Sequence, residues 1–549
     1  MFRLAAALAL ALVTGAAGAQ EDAAAVNARL AAPLPADQAA MKAHVLFLAS
    51  DAMRGREAGS PEFDIAAQYV AAQFYAAGLR PCGDAGGYLQ RVPLVTYRLD
   101  GPGSFAWTPR GGAVRALAPG IDVTASANPA RATTQVAAPV VFLGWGMDAA
   151  RFGHDDYAGV DVRGKIVAIV QGAPPGLDGE ERAFFASPGT KATIAQRHGA
   201  VGVLFVTTRS GIVPAGGTLR SPARSDVARM SWANPDGTGH GDAPGAPVLG
   251  TLTAEGARTL FGRDWDKVVA AAATPQRRYP TLHAAGTLRV ETRTRFVAGA
   301  SSNVVGVIPG SDPRLKDEVV VLSAHLDHIG VSATGEGDRI NNGALDNAIG
   351  IASLIEEARR FTASGQPPKR TLLFLALTGE EKGLVGSAYF TEHPTVPLRQ
   401  IVADINLDMP ILTYRFEDMI VYGADRTTLG PIVRRAVESV GVTMSPDPAP
   451  EQGIFVRSDH FRFVRKGIPA VFLWPGQKGP GAAAFAAFMG RCYHRPCDEL
   501  AQQPVMWDQG VRFVDVNYRI AREVADAAQR PVWSRGDYFA GLYGGVTGR

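Results

Sequence analysis

The sequence lacks a strong charge of either sign. Its 55 basic and 52 acidic residues leave a formal net charge of +3 over 549 residues, and no run of lysine or arginine interleaved with aromatic residues occurs. Binding to nucleic acid or to an anionic membrane relies on a clear excess of positive charge. The sequence therefore predicts neither kind of partner.

Long apolar runs and internal repeats are also missing. Beyond the first residues, no apolar run reaches the roughly 20 residues that a membrane-spanning helix needs. No regular period indicates a solenoid or a propeller. Because 549 residues are too many for one hydrophobic core, we expect two or three folding units and no membrane span.

The first residues have the pattern of an export signal. A short basic start, Met1–Arg3, precedes the apolar run Leu4–Val13, and Ala17–Ala19 is a small-residue cleavage site. This pattern predicts a signal peptide over residues 1–19 and export to the periplasm or the exterior. An oxidising compartment would permit a disulfide. The sequence does not determine which of the three cysteines would pair: Cys82, Cys492 and Cys497.

The apolar pattern changes twice along the chain and predicts three parts. Residues 20–114 include a helical spacing over Pro61–Leu79, which Gly78 should end, and form the N-terminal part of one domain. Residues 115–290 contain short β-like runs separated by glycine and proline, which predicts a smaller, β-rich inserted domain. Residues 291–549 alternate strand, loop and helix.

The third part predicts an α/β fold. Asn303–Ile308 and Glu318–Ser323 are β-rich runs, a helix is predicted over Gly350–Arg359, and Thr371–Leu377 and Ile401–Leu407 are continuous apolar runs. Continuous apolar runs that alternate with helices favour a mixed, mostly parallel sheet covered by helices on both faces. The expected architecture is this sheet together with the β-rich insertion.

Metal-ligand side chains follow the predicted strands. Sites in open α/β sheets form outside the carboxyl ends of the strands, so side chains at these positions should meet. Asp346 lies just before a predicted helix, and His494 lies in a later loop. The residues that follow the predicted strands are His325 and Asp327 after the run that begins at Glu318, Glu380 and Glu381 after the run that begins at Thr371, and Asp408 after Ile401–Leu407.

This set of side chains matches the needs of a hydrolase with two zinc ions. Zinc binds histidine nitrogen and carboxylate oxygen, and a catalytic ion keeps one position for water. One carboxylate can bridge two ions, and a further glutamate can act as the general base for the water between them. Two histidines, three carboxylates and a spare glutamate are available. We expect His328 to be a structural or surface residue, and His460 a structural residue near the site.

Several segments resemble metallopeptidase family 28, the two-zinc exopeptidases that include secreted bacterial leucine aminopeptidases and glutamate carboxypeptidase II. The resemblance covers about residues 300–530, in matching order and spacing. The segments are Ser323-Ala-His-Leu-Asp-His328, Gly343-Ala-Leu-Asp-Asn-Ala348, Gly379-Glu-Glu381, Asn406-Leu-Asp-Met409, Arg457-Ser-Asp-His-Phe461 and Tyr493-His494.

The resemblance implies a role for each candidate residue. It implies two Zn²⁺ ions per chain and peptide substrates, hydrolysed by a water that the zinc pair holds. The implied roles are these: His325 and Asp408 hold one zinc, Glu381 and His494 hold the other, Asp346 bridges both, Glu380 is the general base, Asp327 accepts a hydrogen bond from the ring of His325, and Tyr493 donates one to the tetrahedral intermediate.

The inserted block also resembles a known module, the protease-associated domain. The segments Tyr157–Val167 and Gly199–Phe205 carry this resemblance. It implies a domain without catalytic residues that covers the cleft or limits the size of the substrate.

Four functions are compatible with these motifs, and an aminopeptidase fits them best. A carboxypeptidase of the glutamate-carboxypeptidase type would need basic groups for a C-terminal carboxylate, for which Arg457 is a candidate. A glutaminyl cyclase uses a similar fold with one zinc. A binding ectodomain without activity would lack ligands, whereas this sequence retains five of them and the Glu380–Glu381 pair.

Overall fold

The computed structural model describes residues 23–177, 179–208, 228–274 and 278–548. The predicted signal peptide, residues 1–19, lies outside this range. Within it, every helix is too short or too polar to cross a membrane.

Helices and strands occur along the whole described chain. The helices are α1 (Ala23–Ala31), α2 (Ala36–Leu48), α3 (Pro61–Ala76), α4 (Gly179–Ala186), α5 (Pro188–Arg197), α6 (Ala254–Phe261), α7 (Trp265–Ala271), α8 (Ile349–Ala363), α9 (Val385–Glu392), α10 (Leu429–Ser439), α11 (His460–Val464), α12 (Gly481–Arg491), α13 (Trp507–Asp526) and α14 (Tyr538–Tyr543). The strands are β1 (Arg80–Pro81), β2 (Leu89–Leu99), β3 (Ser104–Pro109), β4 (Arg115–Ala116), β5 (Val123–Ala125), β6 (Thr133–Ala138), β7 (Val140–Phe142), β8 (Asp148–Ala149), β9 (His154–Asp155), β10 (Ile166–Val170), β11 (Gly202–Val206), β12 (Arg229–Trp232), β13 (Val248–Leu252), β14 (Leu282–His283), β15 (Gly286–Ile308), β16 (Val319–His325), β17 (Thr371–Leu377), β18 (Ile401–Leu407), β19 (Asp418–Tyr422), β20 (Thr443–Ser445) and β21 (Ala470–Pro475).

The larger sheet is mixed and has a parallel centre. Its main path runs β12-β2-β15-β17-β16-β18-β21-β19-β20. β16 pairs in parallel with β17 and β18, and β18 with β21, whereas β15 and β19 join antiparallel at either side. Every residue of β16 and β18 is buried, as expected for strands covered on both faces. The predicted α/β fold class is confirmed.

A second sheet lies within the block predicted as an insertion. Its order is β14-β7-β10-β11-β13-β5, and α4 to α7 are interspersed with its strands. The predicted boundary at residue 290 falls inside β15, a strand of 23 residues. The first half of β15 pairs with β3 and β6, and its second half pairs with β2 and β17. This strand therefore connects the inserted block directly to the larger sheet.

Local sequence signals explain the ends of the helices near the centre. α3 begins after Ser60, whose side chain accepts a hydrogen bond from the backbone N–H of Phe63, with Pro61 as its first residue. It ends at Ala76, two residues before Gly78, the glycine predicted to end it, which adopts a left-handed φ of 78°. α2, α8 and α13 pack against one another beside the larger sheet.

Candidate metal centre

The ends of three neighbouring strands bring the predicted ligands together. β16 lies between β17 and β18, with His325 opposite Leu377 and Ser323 opposite Asn406. The residues that follow these strands therefore leave the sheet at the same edge. Two candidate metal-binding groups of buried or half-buried side chains lie there and share one carboxylate, that of Asp346.

The first group contains one histidine and two carboxylates. Nε2 of His325 is 3.1 Å from Oδ1 of Asp408 and 3.3 Å from Oδ1 of Asp346. All three residues are buried. One nitrogen and two oxygens that converge in this way form a donor set that zinc accepts.

The second group contains His328, Asp346 and Glu381, and His494 contacts both of its carboxylates. Nε2 of His494 is 3.2 Å from Oδ2 of Asp346 and 3.1 Å from Oε2 of Glu381. The side chain of His494 is 35% exposed, whereas those of Asp346 and Glu381 are almost fully buried. Asp346 thus faces one histidine with each of its oxygens, which is the position of a carboxylate that bridges two cations.

His328 lies closer to this group than the sequence predicts. Its side chain is fully buried, and its Nδ1 is 2.7 Å from Oε1 of Glu381. Of the two alternatives predicted for His328, a structural residue or a surface residue, its burial excludes the second. It belongs with Asp346 and Glu381 in the second candidate group. The sequence signal for this position was that His328 lies three residues after the end of β16, next to Asp327.

The charges of the centre are strongly coupled. Burial opposes ionisation of Asp346, but hydrogen bonds from His325 and His494 hold its pKa well below the ordinary value. Burial alone would lower the pKa of His494, but Asp346 and Glu381 raise it to about 10. The carboxylates of Asp346 and Glu381 therefore favour positive charge on the histidine ring between them. Bound metal cations would supply positive charge in the same place.

Asp327 contacts the centre differently from the prediction. Nδ1 of His325 is 3.1 Å from the backbone carbonyl oxygen of Asp327 and 3.9 Å from its carboxylate. The carboxylate instead accepts hydrogen bonds from the backbone N–H groups of Glu380 (3.1 Å) and Glu381 (3.4 Å). The carbonyl oxygen of Asp327 thus orients the ring of His325, and its carboxylate fixes the turn that carries the two glutamates.

Glu380 and Tyr493 line the cleft over the centre. Burial raises the pKa of Glu380 well above its ordinary value, and the carboxylates of Asp408 and Glu381 raise it further. The ring of Tyr493 stacks on that of His494 with centroids 3.8 Å apart. The remaining lining is largely apolar, with two polar residues: Met409, Ile454, Arg457, Ser458, Phe472, Trp474 and Met489.

A disulfide closes the loop that carries His494. Cys492 and Cys497 are bonded, and Cys82 is free. His494 itself adopts a left-handed φ of 58°, a conformation that a non-glycine residue keeps only where its surroundings impose it. The closed loop therefore restrains the histidine in the orientation that meets Asp346 and Glu381.

Sequence reasoning missed the groups that hold the ligands. Ser458 donates a hydrogen bond to Asp408, Asp498 accepts two from the turn of Asp346, and Arg56 donates to the loops beneath. Ser458 lies within a segment that the resemblance already marks. Asp498 and Arg56 act on backbone groups more than 150 residues away, which no local pattern indicates. His460 is buried between Phe455 and Phe472 near the site.

Comparison with known proteins matches the region that contains the candidate metal ligands. Residues 303–520 match the family model described as Peptidase family M28. Leupeptin-inactivating enzyme 1 of Streptomyces exfoliatus is 31% identical over 230 residues, which cover 40% of this chain and 48% of that protein. Aminopeptidase NAALADL1 of Mus musculus is 26% identical over 213 residues, 37% of this chain and 25% of that protein. The chain thus spans less than half the length of these curated relatives.

Solved structures are similar at low sequence identity. An aminopeptidase from Aneurinibacillus sp. strain AM-1 covers 91% of this chain and 97% of its own, at 21% identity and a TM-score of 0.47. BSAP, a zinc aminopeptidase from Bacillus subtilis, covers 91% and 98%, at 20% identity and a TM-score of 0.43.

Proposed function

We propose that this chain, whose residues 303–520 match Peptidase family M28, is a zinc-dependent aminopeptidase that releases N-terminal residues from peptides. The observation that carries the proposal is the position of Asp346, which faces His325 with one carboxylate oxygen and His494 with the other. A single carboxylate between two nitrogen ligands is suited to two cations and is unnecessary for one.

The donor atoms fit zinc. One ion would be held by His325 and Asp408 and the other by Glu381 and His494, with Asp346 shared. Oε1 of Glu381 is buried and has no hydrogen-bond partner with acceptable geometry within the described residues, although Nδ1 of His328 is close. Buried polar atoms without such partners are costly unless a ligand or an ion satisfies them. Zinc in this position polarises a carbonyl group and lowers the pKa of water.

Glu380 is the proposed general base. It lines the cleft together with Asp346 and Asp408. Its raised pKa is the direction that proton exchange near neutral pH requires of a glutamate. Glu380 takes a proton from the attacking water and delivers it to the nitrogen of the departing peptide.

Two other residues of the cleft orient the substrate. Tyr493, stacked on His494, is the proposed hydrogen-bond donor to the oxygen that becomes negative in the transition state. Burial raises its pKa, which keeps the hydroxyl protonated and able to donate. The apolar wall, which includes Trp474 and Met489, would exclude water and accept an apolar side chain.

A carboxypeptidase is the second candidate function, because Arg457 also lines the cleft. Its guanidinium is exposed and makes one long hydrogen bond of 3.4 Å to the carbonyl oxygen of Gln452. A free guanidinium at this position could bind a C-terminal carboxylate. A glutaminyl cyclase, with one zinc, would leave one of the two ligand groups without a role.

Blocking either peptide end distinguishes the two peptidases. We expect the protein to hydrolyse aminoacyl anilides, to ignore their N-acetylated forms and to accept peptides with an amidated C-terminus. A metal chelator should abolish the reaction, and added zinc should restore it. Cleavage of N-acetylated peptides, together with failure on C-terminally amidated ones, would favour the carboxypeptidase.

We also propose that the inserted block, residues 115–290, is a protease-associated domain that limits substrate size. Two charge clusters support a fixed position beside the peptidase part. Arg426 contacts Glu180 and Glu181, and Arg465 donates a hydrogen bond of 2.9 Å to Asp242. kcat/KM should fall as leucyl peptides lengthen, and Arg426→Met should reduce that fall. An unchanged length dependence would contradict this role.

Export is the remaining part of the proposal. Its support is the pattern of residues 1–19. N-terminal sequencing of the protein from culture medium or periplasm should begin at Gln20, and a chain that retains Met1 in the cytoplasm would contradict it.

A further inference from the structure

Arg56 lies directly beneath the metal centre, in a segment without an assigned role. Its side chain is fully buried. Gly55 and Arg56 both have left-handed backbone conformations, with φ of 69° and 35°. A Cβ atom on Gly55 would lie 2.4 Å from the carbonyl oxygen of Asn341 and 2.7 Å from that of Gly330. The segment therefore passes tightly between two loops, and glycine is required at its narrowest point.

The guanidinium of Arg56 binds the loops that carry the ligands. Nε donates to the carbonyl oxygen of Leu326 at 2.8 Å, and Leu326 lies between His325 and Asp327. Nη2 donates to the carbonyl oxygen of Gly343 at 2.7 Å, and Nη1 also contacts that of Asn342. One rigid side chain thus connects the loop of His325 to the turn that leads to Asp346.

Asp498 binds the backbone N–H groups of the same turn. Its two carboxylate oxygens accept hydrogen bonds from the backbone N–H of Leu345 at 2.9 Å and of Asp346 at 3.0 Å. Its own carbonyl oxygen accepts a third from the N–H of Ala344. Asp498 is fully buried and follows the disulfide loop of His494. In the turn of residues 342–346, carbonyl groups therefore accept hydrogen bonds from the cationic Arg56, and amide groups donate hydrogen bonds to the anionic Asp498.

The charge of Arg56 is directed at the centre. Within the described part of the chain, its guanidinium donates hydrogen bonds to backbone carbonyl oxygens and to no carboxylate, so no bonded anion neutralises its charge. Burial lowers the pKa of Arg56 to about 10, and Asp498, Asp346, Asp327 and Glu381 favour its charged form. A cation at this place offsets the repulsion among the carboxylates.

We propose that Arg56 and Asp498 form a clamp on residues 342–346 that positions Asp346 for both metal ions. This inference rests on the proposed zinc site. The two are positioning residues, because they act through the backbone of the turn and do not touch the ions. Loss of either should weaken metal binding by about 10- to 100-fold, the usual effect of removing a group that orients a ligand.

The test compares two buried arginines. Arg56→Met removes the donors, and Arg56→Lys keeps the charge without the planar fork. Arg370→Met is the matched control, since Arg370 is also fully buried and donates to Glu318 and to the carbonyl oxygen of Val524, at the opposite end of β17. Zinc Kd is measured by competition with a chromophoric chelator, and the visible spectrum of the Co²⁺-loaded protein reports ligand geometry.

The expected result separates positioning from simple stabilisation. Arg56→Met should weaken zinc binding and alter the cobalt spectrum, Arg56→Lys should lie in between, and Arg370→Met should lower Tm with zinc Kd and spectrum unchanged. Wild-type Kd and spectrum in folded Arg56→Met would overturn the clamp. If Arg56→Met does not fold, Asp498→Asn, which replaces one acceptor by a donor, decides in the same way. A wild-type protein that binds no zinc would refute the proposed function instead.

Discussion

The hydroxyl group of Ser458 donates a hydrogen bond of 2.6 Å to Oδ2 of Asp408. The other carboxylate oxygen, Oδ1, faces Nε2 of His325. Ser458 in turn accepts a hydrogen bond from the side chain of Asn406, at 2.6 Å. Asp408 is therefore held with Oδ1 toward the candidate ion and Oδ2 toward Ser458. The hydroxyl group of Ser458 fixes this orientation of the carboxylate.

Replacing Ser458 by alanine should weaken the ion held by His325 and Asp408. The variant frees Oδ2, so the carboxylate can rotate, and we expect about a 10- to 100-fold rise in zinc Kd. Ser353→Ala is the control, because Ser353 is also buried, and among the described residues its hydroxyl group bonds only the backbone of α8, at Ile349. Equal zinc affinity in the two alanine variants would show that Ser458 does not orient the ligand.

His494 and His328 should differ in their effect on metal content. Both contact Glu381, but only His494 also faces the shared carboxylate at hydrogen-bonding distance. We expect His494→Ala to reduce bound zinc from two ions to one per chain, measured by native mass spectrometry. His328→Ala should keep two ions with weaker binding of one. The reverse result would assign the ligand role to His328.

Opening the disulfide should affect the same ion. The bond between Cys492 and Cys497 closes a short loop around His494, and the chain-entropy relation gives about 2 kcal/mol for a loop of this length. The double variant Cys492→Ser/Cys497→Ser should therefore lose up to about 30-fold in zinc affinity. Cys82→Ser, at a free cysteine, is the control. Unchanged affinity in the double variant would show that the loop is ordered without the bond.

Glu357 on α8 should make the protein less stable as pH rises. It is fully buried, and its carboxylate oxygens have no hydrogen-bond partner within the described residues. Burial raises its pKa well above 4.5, so the folded state holds the proton more tightly than the unfolded chain. Stability is then lost from about pH 4.5 upward, at up to about 1.4 kcal/mol per pH unit. Glu357→Gln should remove this loss.

The adjacent Glu356 provides a control of opposite sign. Burial opposes its ionisation, but a hydrogen bond from His44 lowers its pKa below 4.5. Glu356 therefore stabilises the folded state above that pH, and Glu356→Gln should be less stable than wild type there. Denaturant unfolding between pH 4 and pH 8 measures both variants. A constant difference between Glu357→Gln and wild type across this range would contradict the account.

The sequence predicted the central strands well, for a physical reason. β17 and β18 begin and end as predicted, because a strand buried on both faces is a continuous apolar run between polar residues. Of β15, only residues 303–308 were predicted as a strand. Its centre contains Gly299, Ala300 and Ser301, which do not form an apolar pattern. Pairing with β2 along its length determines that strand.

The supporting groups could not be predicted from the sequence. Arg56 and Asp498 bind backbone carbonyl and amide groups of distant segments, and any residue type supplies those groups. Such a contact leaves neither a periodic pattern of polar and apolar residues nor a motif in the sequence. The contact between His328 and Glu381 was not predicted, because a single histidine has no sequence period and only the fold brings it against Glu381.

The Glu380→Gln variant tests the two-metal peptidase proposal most directly, since it removes a proton acceptor and leaves all five proposed ligands. Zinc per chain and kcat for leucine p-nitroanilide should be measured on the same sample. We predict two zinc ions in both wild type and variant, with kcat lower by about 10²- to 10⁴-fold in the variant. A variant with wild-type kcat, or a wild-type protein that hydrolyses the substrate without bound metal, would contradict the account.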